Sequence, residues 1–210
     1  MDSSEVLAQI ASEVSTCQAC ALYHSRKNAV PGEGPANSEI MFIGEGPGFY
    51  ENEQGRPFVG AAGKFLEELL AQAGLKRSEV WIGNVVKCRP PGNRDPLPEE
   101  LAACDKYLER QIAAINPKII ITLGRYSMGK FMPNAKISAV HGQMRRIGDR
   151  FVIAMYHPAA ALHQAKYKPD LITDFARLPK LLEQARSALA KSAPAPAEEA
   201  QEEPKQLSLF

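Results

Sequence analysis

Cys17 and Cys20 form a CxxC, and Cys88 and Cys104 lie far downstream with fifteen residues between them. The N-terminus MDSSEVLAQI carries no apolar leader, so an intracellular chain with reduced thiols is expected. Four thiolates suit either a tetrahedral Zn²⁺ or a [4Fe–4S] cluster, and their spacing does not choose between them. Cys104 alone also fits a buried free thiol, because it follows Leu101 by three and precedes Leu108 by four on one helix stripe; Cys17 and Cys20 lack that explanation. The second chemical signal is GEGPGFYENEQGRPFVGAAG, residues 44–63, with six glycines and two prolines in twenty positions. Glycine loops of this kind often cradle phosphate, but neither GxGxxG nor GK[ST] is present. Two further polar residues stand where apolar runs end: Asn84 after VWIG, and His157 in HPAAAL after FVIAMY.

These residues need a scaffold that brings them together. Four apolar runs read as buried strands: Glu39–Gly44, Val80–Val86, Lys118–Gly124 and Phe151–Tyr156. Helical patterns separate them. One runs through Phe65, Leu66, Leu69, Leu70 and Ala73 to Gly74; another runs from Pro98 through Leu108, Ile112 and Ile115. An N-terminal helix carries Val6, Leu7, Ile10 and Val14, with Asp2 and Glu5 spaced as a capping box. A last helix over Leu171–Ala185 is kinked or split by Pro179. The expectation is a three-layer α/β/α fold around a central, mostly parallel four-stranded sheet, with a turn at Gly148-Asp149 leaving room for an edge strand. Ligands of such sheets bind beyond the carboxyl ends of the strands, where the glycine segment, Asn84 with KCRPPGNRDP, and HPAAAL all fall.

Composition sets the outer bounds. The 210 residues are 45% hydrophobic and 23% charged, as expected of one globular domain. No apolar stretch reaches the ~18 residues that would span a bilayer. From Ser187 the chain turns rich in Ala, Pro and Glu, a composition expected of a mobile tether over residues 187–210 beside a domain at 1–186. The net charge is +1 overall and −2 in this stretch, which leaves +3 for residues 1–186. That balance excludes histone-like basic proteins and is too small to imply nucleic acid by itself. Arg125, Lys130, Arg145 and Arg146 suit phosphate contacts and solvated surface charge equally well.

GEGPGFYENEQGRPFVGAAG, NVVKCRPPGNRDP, HPAAAL and the four cysteines together resemble family 4 uracil-DNA glycosylase, the iron–sulfur branch of that superfamily, over roughly residues 5–185. The resemblance implies hydrolysis of the N-glycosidic bond of uracil flipped out of DNA, a step of base excision repair that leaves an abasic site. It assigns Phe58 to stacking on the flipped ring, worth ~1–3 kcal/mol per base. It assigns Asn84 to uracil N3–H and O4, a pairing whose reversal on cytosine discriminates by ~10⁴ or more. It places Glu51 against uracil C5, where it excludes thymine's methyl, and His157 as a neutral donor to uracil O2, a contact typically worth ~3 kcal/mol. Other branches use a side chain at position 46 to hold the attacking water. Gly46 has none, so the Glu45 carboxylate or main-chain groups of Gly46 and Pro47 are left to orient it, and no general base is assigned. Leu162 is expected to wedge into the vacated stack. His24, His141 and His163 match no catalytic position.

For the cysteines the resemblance favours [4Fe–4S] over zinc, in a structural role that ties the N-terminal segment to the loop after Asn84. Gln206, Leu207, Ser208, Leu209 and Phe210 resemble the pentapeptide that bacterial replication and repair proteins insert into the sliding clamp, here on a flexible tether. A cytoplasmic, nucleoid-associated monomer with no membrane partner follows. Two competing readings remain: a protein that captures uracil-DNA covalently without turnover, and a non-catalytic iron–sulfur or nucleotide-binding module. The capturing branch carries an added His-containing loop after the second strand, which Lys87-Cys88-Arg89-Pro90 lacks.

Overall fold

The computed structural model describes residues 2–192; the QLSLF end and most of the tether lie outside the described residues. Five strands form one sheet: β1 (Ile40–Gly44), β2 (Trp81–Asn84), β3 (Ile119–Leu123), β4 (Met144–Ile147) and β5 (Arg150–Met155), in the order β2-β1-β3-β5-β4. All neighbours run parallel except β4 and β5. The sheet therefore has one strand more than the expected four. The addition is the edge strand before Phe151, joined to β5 through a turn with Gly148 at φ +63°. Its sequence MRRI lacks an apolar run because an edge strand keeps polar side chains in water, and Arg145 and Arg146 are exposed.

The apolar runs became parallel strands because both faces of the sheet are covered. Along β1, Ile40 and Phe42 point to one layer and Met41 and Ile43 to the other. The same alternation sends Ile119, Ile121 and Leu123 of β3 one way and Ile120 the opposite way. The first layer is built by α3 (Ala61–Gln72), α8 (Lys168–Ala176) and α9 (Leu178–Ser192), with Leu66, Leu69, Phe175 and Leu178 fully buried. The break between α8 and α9 falls next to Pro179, which sits in the first turn of α9, where its missing N–H costs nothing. Helix α9 continues past Ser187 to Ser192, because Ala188 and Leu189 still pack on this layer.

The opposite layer pairs α1 (Ser3–Thr16) with α4 (Pro98–Ile115). The Asp2 side chain accepts from the Glu5 N–H at 2.8 Å and the Glu5 carboxylate accepts from the Asp2 N–H at 2.9 Å, closing the expected capping box. Leu7, Ile10 and Val14 of α1 then meet Cys104, Leu108 and Ile112 of α4 in one cluster. Short helices α5 (Arg125–Phe131) and α6 (Ile137–Val140) complete this side. Two more short helices cap strand ends: α2 (Phe49–Gln54) after β1 and α7 (Pro158–His163) after β5. Parallel pairing sets Gly44 beside Asn84 and brings the end of β5 to the same edge, so the three polar segments meet there. No helix among the described residues is long and apolar enough to cross a membrane.

Candidate functional site

A cavity of about 320 Å³ opens at this edge. Its walls include Glu45, Gly46, Pro47, Glu51, Phe58, Asn84 and His157, so every residue expected to touch the base lines one hollow. The Phe58 and His157 rings are stacked with centroids 5.6 Å apart and planes 25° apart. Asn84 closes the far wall from the end of β2. It is 1% exposed, and its Oδ1 has no hydrogen-bond partner among the described residues. An unpaired buried acceptor costs roughly 1–3 kcal/mol, so this atom stands ready for an N–H donor that the chain does not supply. The Asn84 backbone is held in place, with Lys87 Nζ donating to the Asn84 carbonyl at 2.9 Å. Gly44 lies between the two walls. A Cβ there would come within 2.4 Å of Asn84 Oδ1 and 2.7 Å of the Phe58 ring, so only glycine lets them approach.

His157 leaves β5 as the N-cap of α7, and its Nδ1 accepts from the Ala159 N–H at 3.1 Å. That bond needs an unprotonated Nδ1 and puts the neutral ring's proton on Nε2. Protein packed around the ring holds its pKa down to about 4, against a smaller opposing pull from Glu51. At neutral pH the imidazole is thus a neutral donor. Glu51 is anchored rather than free: Oε2 accepts from the Gly48 N–H at 3.1 Å, and Oε1 from the Val59 and Gly60 N–H groups at 2.9 and 3.0 Å. The Val59 and Gly60 bonds tie α2 to the glycine turn that carries Phe58, and the Gly48 bond closes the first turn of α2 itself. Glu45 is half-buried, and burial followed by the nearby Asp95 charge pushes its carboxyl pKa up, with Arg125 pulling the other way.

The walls also include residues that the sequence reading did not single out. Pro90, Asn93 and Arg94 come from KCRPPGNRDP, whose position after β2 was the available signal. His163, judged to match no catalytic position, lies at the cavity as the last residue of α7. Leu162 beside it is 51% exposed. Some basic residues considered for phosphate are engaged within the chain. Arg125 pairs with Asp95, and Lys130, its side chain only 15% exposed, pairs with Asp105 and Glu109 at 2.5 Å each. His141 bonds Asp174 through Nδ1 at 2.8 Å, away from this cavity.

A second, narrow cavity lies against α1 and α4 and is lined by Cys17, Cys20, Cys88 and Cys104 together. N–H groups already point at three of these sulfurs: Ala19 N at Cys17 (3.5 Å), Arg26 Nη1 at Cys88 (3.2 Å) and Lys87 N at Cys104 (3.3 Å). Such donors stabilise metal-bound thiolate, and four cysteines make an all-sulfur donor set, so the residues fit a thiolate-held group. Among the described residues no three His, Cys, Asp or Glu side chains are drawn together as ligands of a bare ion. The cysteines share a cavity rather than a point. Burial pushes the Cys104 thiol up to about 11, the reverse of an activated nucleophile.

The fold agrees with the comparisons to known proteins. Residues 31–178 match the family model of the uracil DNA glycosylase superfamily. The chain is 45% identical to the type-4 uracil-DNA glycosylase of Archaeoglobus fulgidus, over 84% of this chain and 94% of the relative. It is 47% identical to the type-4 enzyme of Sulfurisphaera tokodaii, over 86% of each. The type-4 enzyme of Thermotoga maritima is also 47% identical, over 77% of this chain and 86% of the relative. The chain belongs to the uracil-DNA glycosylase superfamily and, within it, to the type-4 family.

Proposed function

We propose that this DNA-repair hydrolase removes uracil from DNA by using the 320 Å³ cavity as the receptor for the everted base. The observation that carries the assignment of roles is the unpaired, buried Asn84 Oδ1 in the same hollow as the stacked Phe58 and His157 rings. Uracil N3–H would donate to Asn84 Oδ1. Cytosine presents an acceptor at N3 and would leave that oxygen unpaired, which is how the pocket rejects it. Phe58 supplies the face that replaces the lost base stack. Glu51, held by three backbone N–H groups, faces the position of C5 and disfavours a methyl group.

As the bond from N1 to the sugar breaks, its electron pair moves onto uracil and the sugar becomes oxocarbenium-like. The Nε2–H of neutral His157 donates to O2 and stabilises the developing anion without a full proton transfer. Water then adds to the sugar carbon. Glu45, whose carboxyl pKa is raised by burial, together with main-chain groups at Gly46 and Pro47, orients that water and takes up its proton. Leu162 fills the gap left in the stack.

Residues 1–186 form the glycosylase domain of this reading. Cys17, Cys20, Cys88 and Cys104 would hold a [4Fe–4S] cluster, which when bound ties the N-terminal segment to the loop after Asn84 rather than taking part in hydrolysis. The fit of the four sulfurs to one cavity and their N–H donors support it. The chain beyond the end of α9 would tether Gln206–Phe210 to a sliding clamp, with the enzyme acting as a cytoplasmic monomer near the nucleoid.

The test is incubation with a uracil-containing oligonucleotide, scored by alkali-labile abasic sites. Multiple turnovers support the enzyme; a protein–DNA adduct that survives denaturation supports capture instead, and intact DNA sinks both. Metal analysis of protein purified without oxygen separates iron and sulfide from stoichiometric zinc.

A further inference from the structure

Phe58 occupies a backbone conformation that bulky residues rarely adopt. Its φ is +51°, in the left-handed region, inside a buried turn. A strained residue persists only when its surroundings over-determine it, and the surroundings here are specific. Arg77 lies in the single 3₁₀ turn before β2, with its side chain 18% exposed. Its Nη1 donates to the Phe58 carbonyl at 3.0 Å and its Nη2 to the Pro57 carbonyl at 2.5 Å. The Phe58 carbonyl is also closely approached by Gly63 of α3, where a Cβ would come within 1.9 Å of that oxygen.

Arg77 is itself anchored. Its Nε and Nη2 donate to Glu33 Oε1 at 2.9 and 2.6 Å. Glu33 in turn exchanges both backbone hydrogen bonds with Ile82 of β2, at 2.9 and 2.8 Å. Ile82 lies two residues before Asn84. One short chain of contacts therefore links the residue that reads the base edge to the residue that stacks on its face.

We propose that Arg77, held by Glu33, is a positioning residue for excision: it fixes the Phe58 turn and so sets the stacking ring against Asn84. The proposal rests on Phe58 being the stacking platform, and the experiment separates the two. Steady-state excision of uracil from a single-stranded oligonucleotide is measured for wild type, Arg77→Met, Phe58→Ala and the double variant, at a temperature where melting curves show all four folded. Phe58→Ala alone tests the platform; the loss expected is roughly 5- to 150-fold in kcat/KM. Arg77→Met is expected to lose about tenfold in the wild-type background, mostly in kcat, because phosphate contacts dominate DNA affinity. In the Phe58→Ala background the same substitution should cost less than about twofold, since it acts through a ring no longer there. A loss of folded enzyme would instead multiply both backgrounds alike.

Equal losses in the two backgrounds, or full activity of Arg77→Met, overturn the positioning role while leaving the platform standing. No loss in Phe58→Ala overturns the platform, and the positioning role with it. If Arg77→Met does not fold, the cycle is run with Glu33→Gln and Arg77→Lys. Both keep a cation near the carbonyls, and each should give an intermediate loss that vanishes in the same background.

Discussion

The cavity at the strand ends and the cavity among the cysteines lie on either side of Lys87, and they treat polar groups in opposite ways. At the strand ends, Asn84 Oδ1 is buried without a partner and His157 keeps its Nε2 proton for something outside the chain. Around the cysteines, three sulfurs already receive N–H groups, and the buried Lys87 Nζ bonds the Asn84 carbonyl and Gln111 Oε1 at 2.9 and 2.7 Å. An unmade hydrogen bond in a folded chain is a cost, so it is kept where a ligand completes it. The satisfied side behaves as scaffold. Lys87 joins the two, since its backbone N–H serves Cys104 while its ammonium holds the strand end that carries Asn84.

The contrast is broken most directly at His157. His157→Ala should lower single-turnover excision by about 10²–10³-fold, the usual cost of one preorganised donor to a developing anion, measured at a temperature where melting curves show the variant folded because the substitution also removes the α7 N-cap. Loss below tenfold would place the main stabilisation of the leaving group elsewhere.

The depressed pKa of His157 gives a second measurement. The unfolded chain takes up a proton near the ordinary histidine value of about 6.5, whereas the folded ring does so only at about 4. Stability from this residue is therefore fully present above pH 6.5 and declines as pH falls from there to about 4. The loss is at most about 3 kcal/mol, less for a ring partly open to solvent. Denaturant unfolding of wild type and His157→Gln across that window should show a steeper acid loss in the wild type; parallel curves would refute the buried neutral imidazole. Excision limited by this group should stay flat through neutral pH and fall only on approach to pH 4.

A smaller effect is expected on the scaffold side. Lys87→Met leaves the Asn84 carbonyl and Gln111 Oε1 unpaired, at a cost of about 1–3 kcal/mol in unfolding free energy. Because Asn84 shifts with it, kcat should fall a few-fold as well. A change in stability with kcat untouched would uncouple the two cavities. The smallest effect is assigned to the C-terminus: removing residues 206–210 should leave excision on short oligonucleotides unchanged and abolish binding to a sliding clamp in a pull-down. Equal loss of both would remove the tether reading.

The fold was largely legible because its strands are buried on both faces. A run such as Ile119–Leu123 can be apolar at all but Thr122 only if both sides are covered, and turns rich in Gly, Pro and Asn mark its ends. The β4 edge was less visible, since MRRI has the exposure of an ordinary surface segment. Among the candidate site residues, Asn84 and His157 stand out by their place at strand ends, which parallel pairing carries to one edge, whereas Phe58 is singled out only by the family resemblance. His163 and Asn93 do not stand out, because lining a cavity depends on which way a helix end or a loop turns.

By itself the sequence determined which segments form strands, which end of the sheet bears chemistry, and which four sulfurs are available, since each is written in local residue types and their period. Only the tertiary structure decided that Phe58 sits in a left-handed turn under Arg77, that Asn84 keeps an unpaired oxygen, and that His157 is held neutral. Strain, burial and an unmade hydrogen bond are properties of contacts between residues distant in the chain, and no local pattern encodes them.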